Sequence, residues 1–364
     1  MADQKLKDAE ELAHRTAPPE GAPMSEPDVT RILFDRNDPP PFPEMNIFPL
    51  EWRVETPKLQ QLYDSAREPG WAPNRLAWDT LEPERFSLDE RYALAHWWGL
   101  LSTFDGSGPA VFARAMIHTF ETHEEDPIRK CFFSITRDEL NHEEVCQRAI
   151  QALTPNGPLD YDPQTPLGKI AQNNIRWMYH NGARYWEGYR KGVDRYPLPI
   201  LFTSFLMGEV ASSTLFHGMY KQTTIPVFKE AFRCIGMDEA RHMGICLLVL
   251  EKLLPHLTDE QRAQITKQLR AGFVFLSAIL HEPPEEFWEL PADFRTTSRH
   301  LEEIARGAGL GILSLEERTE NWRTAVLRMK GVLEPHGIEF PALPEVGIDG
   351  ETVAFDPDDI IPVF

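Results

Sequence analysis

Cysteine is scarce in this chain: 364 residues carry four, Cys131, Cys146, Cys234 and Cys246, with no C-x-x-C pair. They offer no disulfide framework. Each sits inside a helical pattern, which fits a reducing cytoplasm where cysteine serves as a small packing residue. Basic residues are also short: 37 Lys and Arg against 57 Asp and Glu leave a net charge of −20. That deficit argues against nucleic acid, whose phosphates would be repelled, and against adhesion to anionic lipid. It suits a soluble protein. No stretch of eighteen apolar residues exists, so nothing is expected to span a membrane. The first residues, Met-Ala-Asp-Gln-Lys-Leu-Lys, are charged and lack the apolar run of a signal peptide. Strand-like alternation is scarce, and no flavin or nicotinamide motif is present.

Helical periodicity is abundant, and it predicts an all-α fold. Ser87 and Glu90 form a capping box that opens a helix to Asp105. Gly106-Ser-Gly-Pro109 disturbs the pattern, which resumes to about Thr122. Further helices are expected up to Thr154, from about 167 to Val193, from Leu198 to Tyr220, and up to Leu254. Thr258 with Gln261 caps a helix to about Leu280, and Ser314 with Glu317 caps one to Leu333. Residues 1–50 are rich in proline and charge and read as an extended arm. Residues 334–364 read as an acidic, proline-rich tail, and 51–333 as the helical domain.

Two segments one hundred residues apart repeat one pattern. The first is Phe132, Ile135, Asp138, Glu139, His142, Cys146, Ile150, Leu153; the second is Phe232, Ile235, Asp238, Glu239, His242, Cys246, Leu250, Leu253. Each interrupts an apolar stripe with Glu-x-x-His. Residues three apart on a helix lie roughly 60° apart around its axis, so a carboxylate and an imidazole project together from the face bound for the core. A buried ion-pair network would satisfy them. The doubling in one register points instead to a metal site shared by two facing helices.

Such a dinuclear site takes one further carboxylate from each of two more helices. Glu209 sits on an apolar stripe among Phe202, Phe205, Leu206 and Phe216, 30 residues before Glu239. An antiparallel hairpin brings two such mid-helix residues level. On the first helix the candidate is Asp105, 34 before Glu139, with Glu121 as the fallback beside a breaker. A perfect repeat would put the ligand at Pro109, so the Gly-Ser-Gly-Pro segment is expected to distort the helix and restore the geometry. Asp138 and Asp238 are placed to accept a hydrogen bond from the distal ring nitrogen of the opposite helix's histidine, His242 and His142 respectively. Glu143, Glu144 and Arg241 read as solvated or paired. Trp97, Trp98, Phe202, Phe205, Phe216 and Cys146 are candidates for an apolar cavity wall.

These residues resemble the ferritin-like carboxylate-bridged diiron superfamily over roughly 87–255. It includes ribonucleotide reductase radical subunits, bacterial multicomponent monooxygenases, desaturases, arylamine N-oxygenases and ferritins. The resemblance implies a ferritin-like four-helix bundle with additional helices. It implies Asp105, Glu139, His142, Glu209, Glu239 and His242 as ligands to two iron ions, or to a manganese–iron pair. Reductase radical subunits carry a tyrosine four residues after the first motif's His, a position held here by Cys146, which argues against a stored tyrosyl radical. Ligand-binding oxidases of that branch carry a tyrosine where Ser204 stands, so their crosslink could not form. Methane monooxygenase hydroxylases share the Cys and carry a hydroxyl residue at the position of Ser213, yet are longer. Arylamine N-oxygenases add a third histidine where Ile235 stands.

The function this implies is a dioxygen-activating oxygenase or oxidase of a small organic substrate, with Ser213 donating a hydrogen bond or relaying a proton beside the metals. Cys146 would border the ligands. Electrons would come from a ferredoxin or a flavoprotein reductase, and the acidic surface could dock a basic redox partner. A homodimer is left open. The alternatives are a ferroxidase or peroxidase, or a non-catalytic or radical-generating small subunit that docks through the C-terminal tail.

Overall fold

The computed structural model describes residues 53–67, 70–154, 163–192, 198–280 and 288–350. Among these, ten α-helices follow one another: α1 (Pro57–Arg67), α2 (Leu88–Asp105), α3 (Gly108–Glu121), α4 (Asp126–Leu153), α5 (Pro166–Gly192), α6 (Leu198–Gln222), α7 (Pro226–Leu253), α8 (Asp259–Leu280), α9 (Phe294–Gly307) and α10 (Leu315–Leu333). No strand occurs among the described residues; a single β-bridge joins Leu343 and Ile348. The N-terminal arm at 1–50 and the end of the tail at 351–364 lie outside the described residues.

Local chemistry starts the helices where the sequence says it should. Ser87 and Glu90 close a reciprocal capping box on α2, and Ser314 and Glu317 do the same on α10. Thr258 and Gln261 exchange the equivalent pair of bonds ahead of α8, at 2.9 and 3.2 Å. The helices α4 and α7 begin with Pro in the first turn, where the missing N–H costs nothing.

Four helices form the central bundle. α2 packs on α4, α6 packs on α7, and the two pairs meet along α4 and α7. The doubled apolar stripes supply the packing between them. Trp98 of α2 stacks on Phe232 of α7 with ring centroids 5.0 Å apart, and Phe132 of α4 tilts against Phe202 of α6 at 4.9 Å. α8 and α10 cover α6, α5 and α9 cover α2, and α1 lies on both α4 and α7. This is the ferritin-like four-helix architecture with added helices.

α6 is long and apolar enough by composition to cross a membrane, but most of that stretch is buried inside the bundle. Its apolarity belongs to a core helix surrounded by partners. All four cysteines are buried free thiols. Two helices have no counterpart in the reading from sequence, α1 and α9. In addition, residues 334–350 of the segment read as a tail lie against the bundle. Phe340, Leu343, Val346 and Ile348 are buried, Thr266 donates to the Glu339 carbonyl, and Arg270 pairs with Glu345 at 2.6 Å.

Candidate metal centre

The four bundle helices each deliver charge to one buried place. Glu139 and His142 come from α4, Glu209 from α6, Glu239 and His242 from α7, and Asp105 from the last residue of α2; all are at most 8% exposed. Ligating atoms of Glu139, Glu209, Glu239 and His242 lie within 4.8 Å of one another. His242 Nδ1 is 3.4 Å from Glu209 Oε2 and 3.5 Å from Glu139 Oε1. His142 Nδ1 is 3.4 Å from Glu239 Oε1 and 3.8 Å from Glu139 Oε1. The two imidazole centroids are 6.0 Å apart. Asp105 borders the same cavity as the three glutamates, and Cys146 Sγ lies 3.6 Å from its Oδ2. Glu121 stands apart, at the end of α3, where it faces His118 on the half-exposed side.

The histidines are held from behind. His242 Nε2 lies 3.3 Å from Asp138 Oδ2 and His142 Nε2 lies 3.4 Å from Asp238 Oδ2, each across to the other helix. Arg241 ties the two aspartates together, its Nη2 donating to Asp138 Oδ2 and Asp238 Oδ1 at 2.6 Å each. Arg137 donates to Asp138 Oδ1, and the Trp71 indole to Asp238 Oδ2 at 2.8 Å. Trp71 also stacks on His142, centroids 6.2 Å apart and planes within 15°. Burial works against the charge on Asp138 and Asp238. The bonds from His242 and His142 and the nearby Arg241 outweigh it, and both carboxyls lie below the ordinary range. Ionised aspartates require the Nε2 atoms to carry protons, and this turns both Nδ1 atoms toward the carboxylate cluster.

That arrangement fits a metal. His142 Nδ1, His242 Nδ1 and Glu209 Oε2 are fully buried with no hydrogen-bond partner. Unpaired acceptors in such a place are costly unless a cation sits among them. Their distances to the nearest carboxylate oxygens are 3.4 to 3.8 Å. They are comparable with the spacing of neighbouring donors held at roughly 2.0–2.2 Å from a shared ion. The electrostatics agree. Burial first, with the neighbouring carboxylates, pushes Glu139 up to about 8 and Asp105 up to about 6, against the pull of His142. Glu239 is raised well above its ordinary value, by burial first and then by Glu209. Against burial, the aspartate partners and the carboxylates raise both histidines above the ordinary imidazole value, so the cluster attracts positive charge.

The break between α2 and α3 has a specific use. Gly108, the first residue of α3, comes so close to Glu139 that a Cβ there would meet Oε2 at 2.2 Å. The Gly-Ser-Gly-Pro segment therefore ends α2 at Asp105 and brings a bare backbone against the carboxylate.

A cavity of about 110 Å³ opens beside the carboxylates, walled by Phe104, Val111, Phe112, Phe205, Phe275 and Leu276. Of the aromatic and cysteine residues considered for such a wall, Phe205 is there. Trp97, Trp98, Phe202, Phe216 and Cys146 are at most 1% exposed and belong to the packed core. Ser213, one turn beyond Glu209, is half-buried and does not border the cavity. Ser204 and Ser212 do, with their hydroxyls donating back to the carbonyls of Ile200 and Gly208. Pattern does not single out Trp71 and Arg137; it reads Arg241 as solvated or paired, and Gly108 only as part of the Gly-Ser-Gly-Pro break. The signals available were Arg241 three residues after Asp238, on the same helix face, and a glycine pair at a helix break.

No protein-family model matches the chain, and no curated protein matches it. Among solved structures, the chain is similar to a protein from Bacillus halodurans, solved at 1.90 Å and provisionally named a class I ribonucleotide reductase. Identity is 17%, the likeness covers 76% of this chain and 90% of that one, and the TM-score is 0.46. The molecule's own helices bring two Glu-x-x-His pairs and two further carboxylates to one buried place, a group that could hold metal.

Proposed function

We propose that this protein is a dinuclear non-haem metal oxidoreductase that uses dioxygen to oxidise a small organic substrate. The observation that carries this reading is the pair of buried histidines, each locked through Nε2 to an aspartate of the opposite helix, with an unpartnered Nδ1 turned into a cluster of buried carboxylates. Asp105, Glu139, His142, Glu209, Glu239 and His242 would hold the metals. Two iron ions, or manganese with iron, would supply redox electrons and Lewis acidity for reducing dioxygen.

The chain's own residues do the rest. Asp138 and Asp238 set the tautomer and orientation of the histidines. The phenylalanine wall of the cavity excludes water and takes an uncharged, largely apolar substrate beside Glu139, Glu209 and Glu239. In a monooxygenation, one oxygen atom enters the substrate and the other leaves as water, consuming two electrons and two protons. No flavin or nicotinamide motif occurs in the sequence, so a ferredoxin or flavoprotein reductase supplies those electrons, in a reducing cytoplasm that keeps the four thiols free.

Elemental analysis of protein made with iron supplied tests the reading. About two metals per chain, lost in Glu139→Ala with Glu239→Ala, are expected, followed by substrate-dependent oxygen uptake with a chemical reductant. Metal-free protein in both cases would overturn it.

A further inference from the structure

One wall of the cavity beside the carboxylates is a pile of aromatic rings. Phe275 of α8 and Tyr185 of α5 both border the cavity. Their rings are parallel within 1°, with centroids 3.3 Å apart. Phe104, near the end of α2, tilts against Phe275 at 5.0 Å. A further ring joins from outside. Trp288 does not border the cavity, yet it stacks on Phe275 with centroids 5.6 Å apart and planes within 12°. Such offset stacks are among the favoured aromatic arrangements, so three neighbours fix the place of Phe275 in the wall.

Trp288 belongs to no helix; it stands in an extended segment just before α9 and is 3% exposed. Two contacts hold it. Its indole N–H donates to the Val274 carbonyl at 3.0 Å, one residue before Phe275. The next residue, Glu289, is clamped by Asn181 of α5, which is fully buried. The Asn181 Nδ2 donates to the Glu289 carbonyl and its Oδ1 accepts from the Glu289 N–H, both at 3.0 Å. A second bond, to the Trp177 carbonyl at 2.8 Å, leaves the Asn181 amide well satisfied. The Glu289 side chain also meets His180 and Arg184, but these pairs are exposed and add little. Asn181 and Tyr185 are four residues apart, on one face of α5. That face both lays Tyr185 on Phe275 and ties down the segment that carries Trp288.

The cavity is about 110 Å³. An apolar cavity of roughly 150 Å³ is known to take benzene, so this one is too small for a six-membered ring while Phe275 stays in place. We propose that Trp288 is a positioning residue that sets the size limit of the substrate. By holding Phe275 in the wall it restricts the cavity to compact neutral molecules smaller than one such ring, and Asn181 in turn holds Trp288. This rests on the reading of the cavity as the substrate pocket.

Calorimetric titration of the metal-loaded full chain with benzene, under argon, tests it; benzene has no group that binds metal. The wild type is expected not to bind. Phe275→Ala, which removes the wall ring itself, is expected to bind benzene. Trp288→Ala and Asn181→Ala are expected to bind it at least about tenfold more tightly than the wild type. Trp288→Phe keeps a stacking ring and should behave as the wild type. Adding Gly208→Val to Trp288→Ala narrows the cavity and should abolish the gain, which places the benzene there and not in the space left by the indole. Metal content should be the same in the single variants. Equal binding by wild type and Trp288→Ala, or a gain that survives Gly208→Val, would overturn the proposal. A gain in Phe275→Ala with none in Trp288→Ala would overturn it and leave the pocket reading standing. No gain in either would overturn both. Circular dichroism checks each fold, and Asn181→Ala, with the indole intact, decides by the same comparison if Trp288→Ala does not fold.

Discussion

His242 on α7 and Asp138 on α4 face each other at 3.3 Å, on the side of the imidazole away from the glutamates. His142 and Asp238 repeat the arrangement with the helices exchanged, at 3.4 Å. A bundle helix thus holds not its own histidine but its neighbour's, and the two motifs brace one another. Asp138→Asn and Asp238→Asn are expected to keep the helices and to lower metal affinity about 10–100-fold each. Competition with a chelator of known affinity measures this, and unchanged affinity in both variants would make the contacts incidental.

Gly108 touches the centre through what it lacks. A methyl group there would meet Glu139 Oε2 at 2.2 Å and its Cδ at 2.9 Å, so the carboxylate must shift. Gly108→Ala is therefore expected to keep the helices while moving the Glu139 carboxylate from its place. It should bind less metal than the wild type. A fall in melting temperature with full metal content would contradict the assignment.

Gly208, beside Glu209, lines the cavity, and a Cβ there would meet nothing within 4 Å. Gly208→Val fills open space without touching a ligand. Retained metal content with lost or smaller-substrate oxidation is expected. Loss of metal would show that α6 cannot accept the side chain and that the space is not a substrate pocket.

Glu125 gives a pH dependence. Burial opposes its charge, but Thr56 donates from both hydroxyl and N–H, Glu55 donates from its N–H, and Lys252 lies at 3.2 Å, so its carboxyl falls below the ordinary 4.5. A lowered carboxyl stabilises the fold above the unfolded value and loses that contribution as pH falls through the folded one. Glu125→Gln is expected to cost about 2 kcal/mol at pH 7. The difference from the wild type should shrink steadily below pH 4.5 in denaturant melts. A constant difference across that range would place the cost in packing rather than charge.

Helix positions and the doubled motif were legible in the sequence because both are local. Capping boxes at Ser87, Thr258 and Ser314 need only three neighbouring residues, and a Glu-x-x-His pair shares a face by helical geometry alone. The pairing of each aspartate with the opposite histidine followed from repetition, since two helices in one register must present matching groups to each other. α9 was missed because Phe294, Leu301 and Ala305 are a sparse apolar stripe among charges, and they become a buried face only when α2 is beside them.

The chain's sequence by itself determined that it would form apolar-striped helices with four motif ligands aimed at the core, because periodicity and capping act within a few residues. Tertiary structure alone decided that Asp105 rather than Glu121 borders the site, that Gly108 yields to Glu139, that Arg241 bridges two aspartates and that Trp71 backs His142. Each of those depends on which helices become neighbours, and that is settled by how the whole set of apolar faces packs.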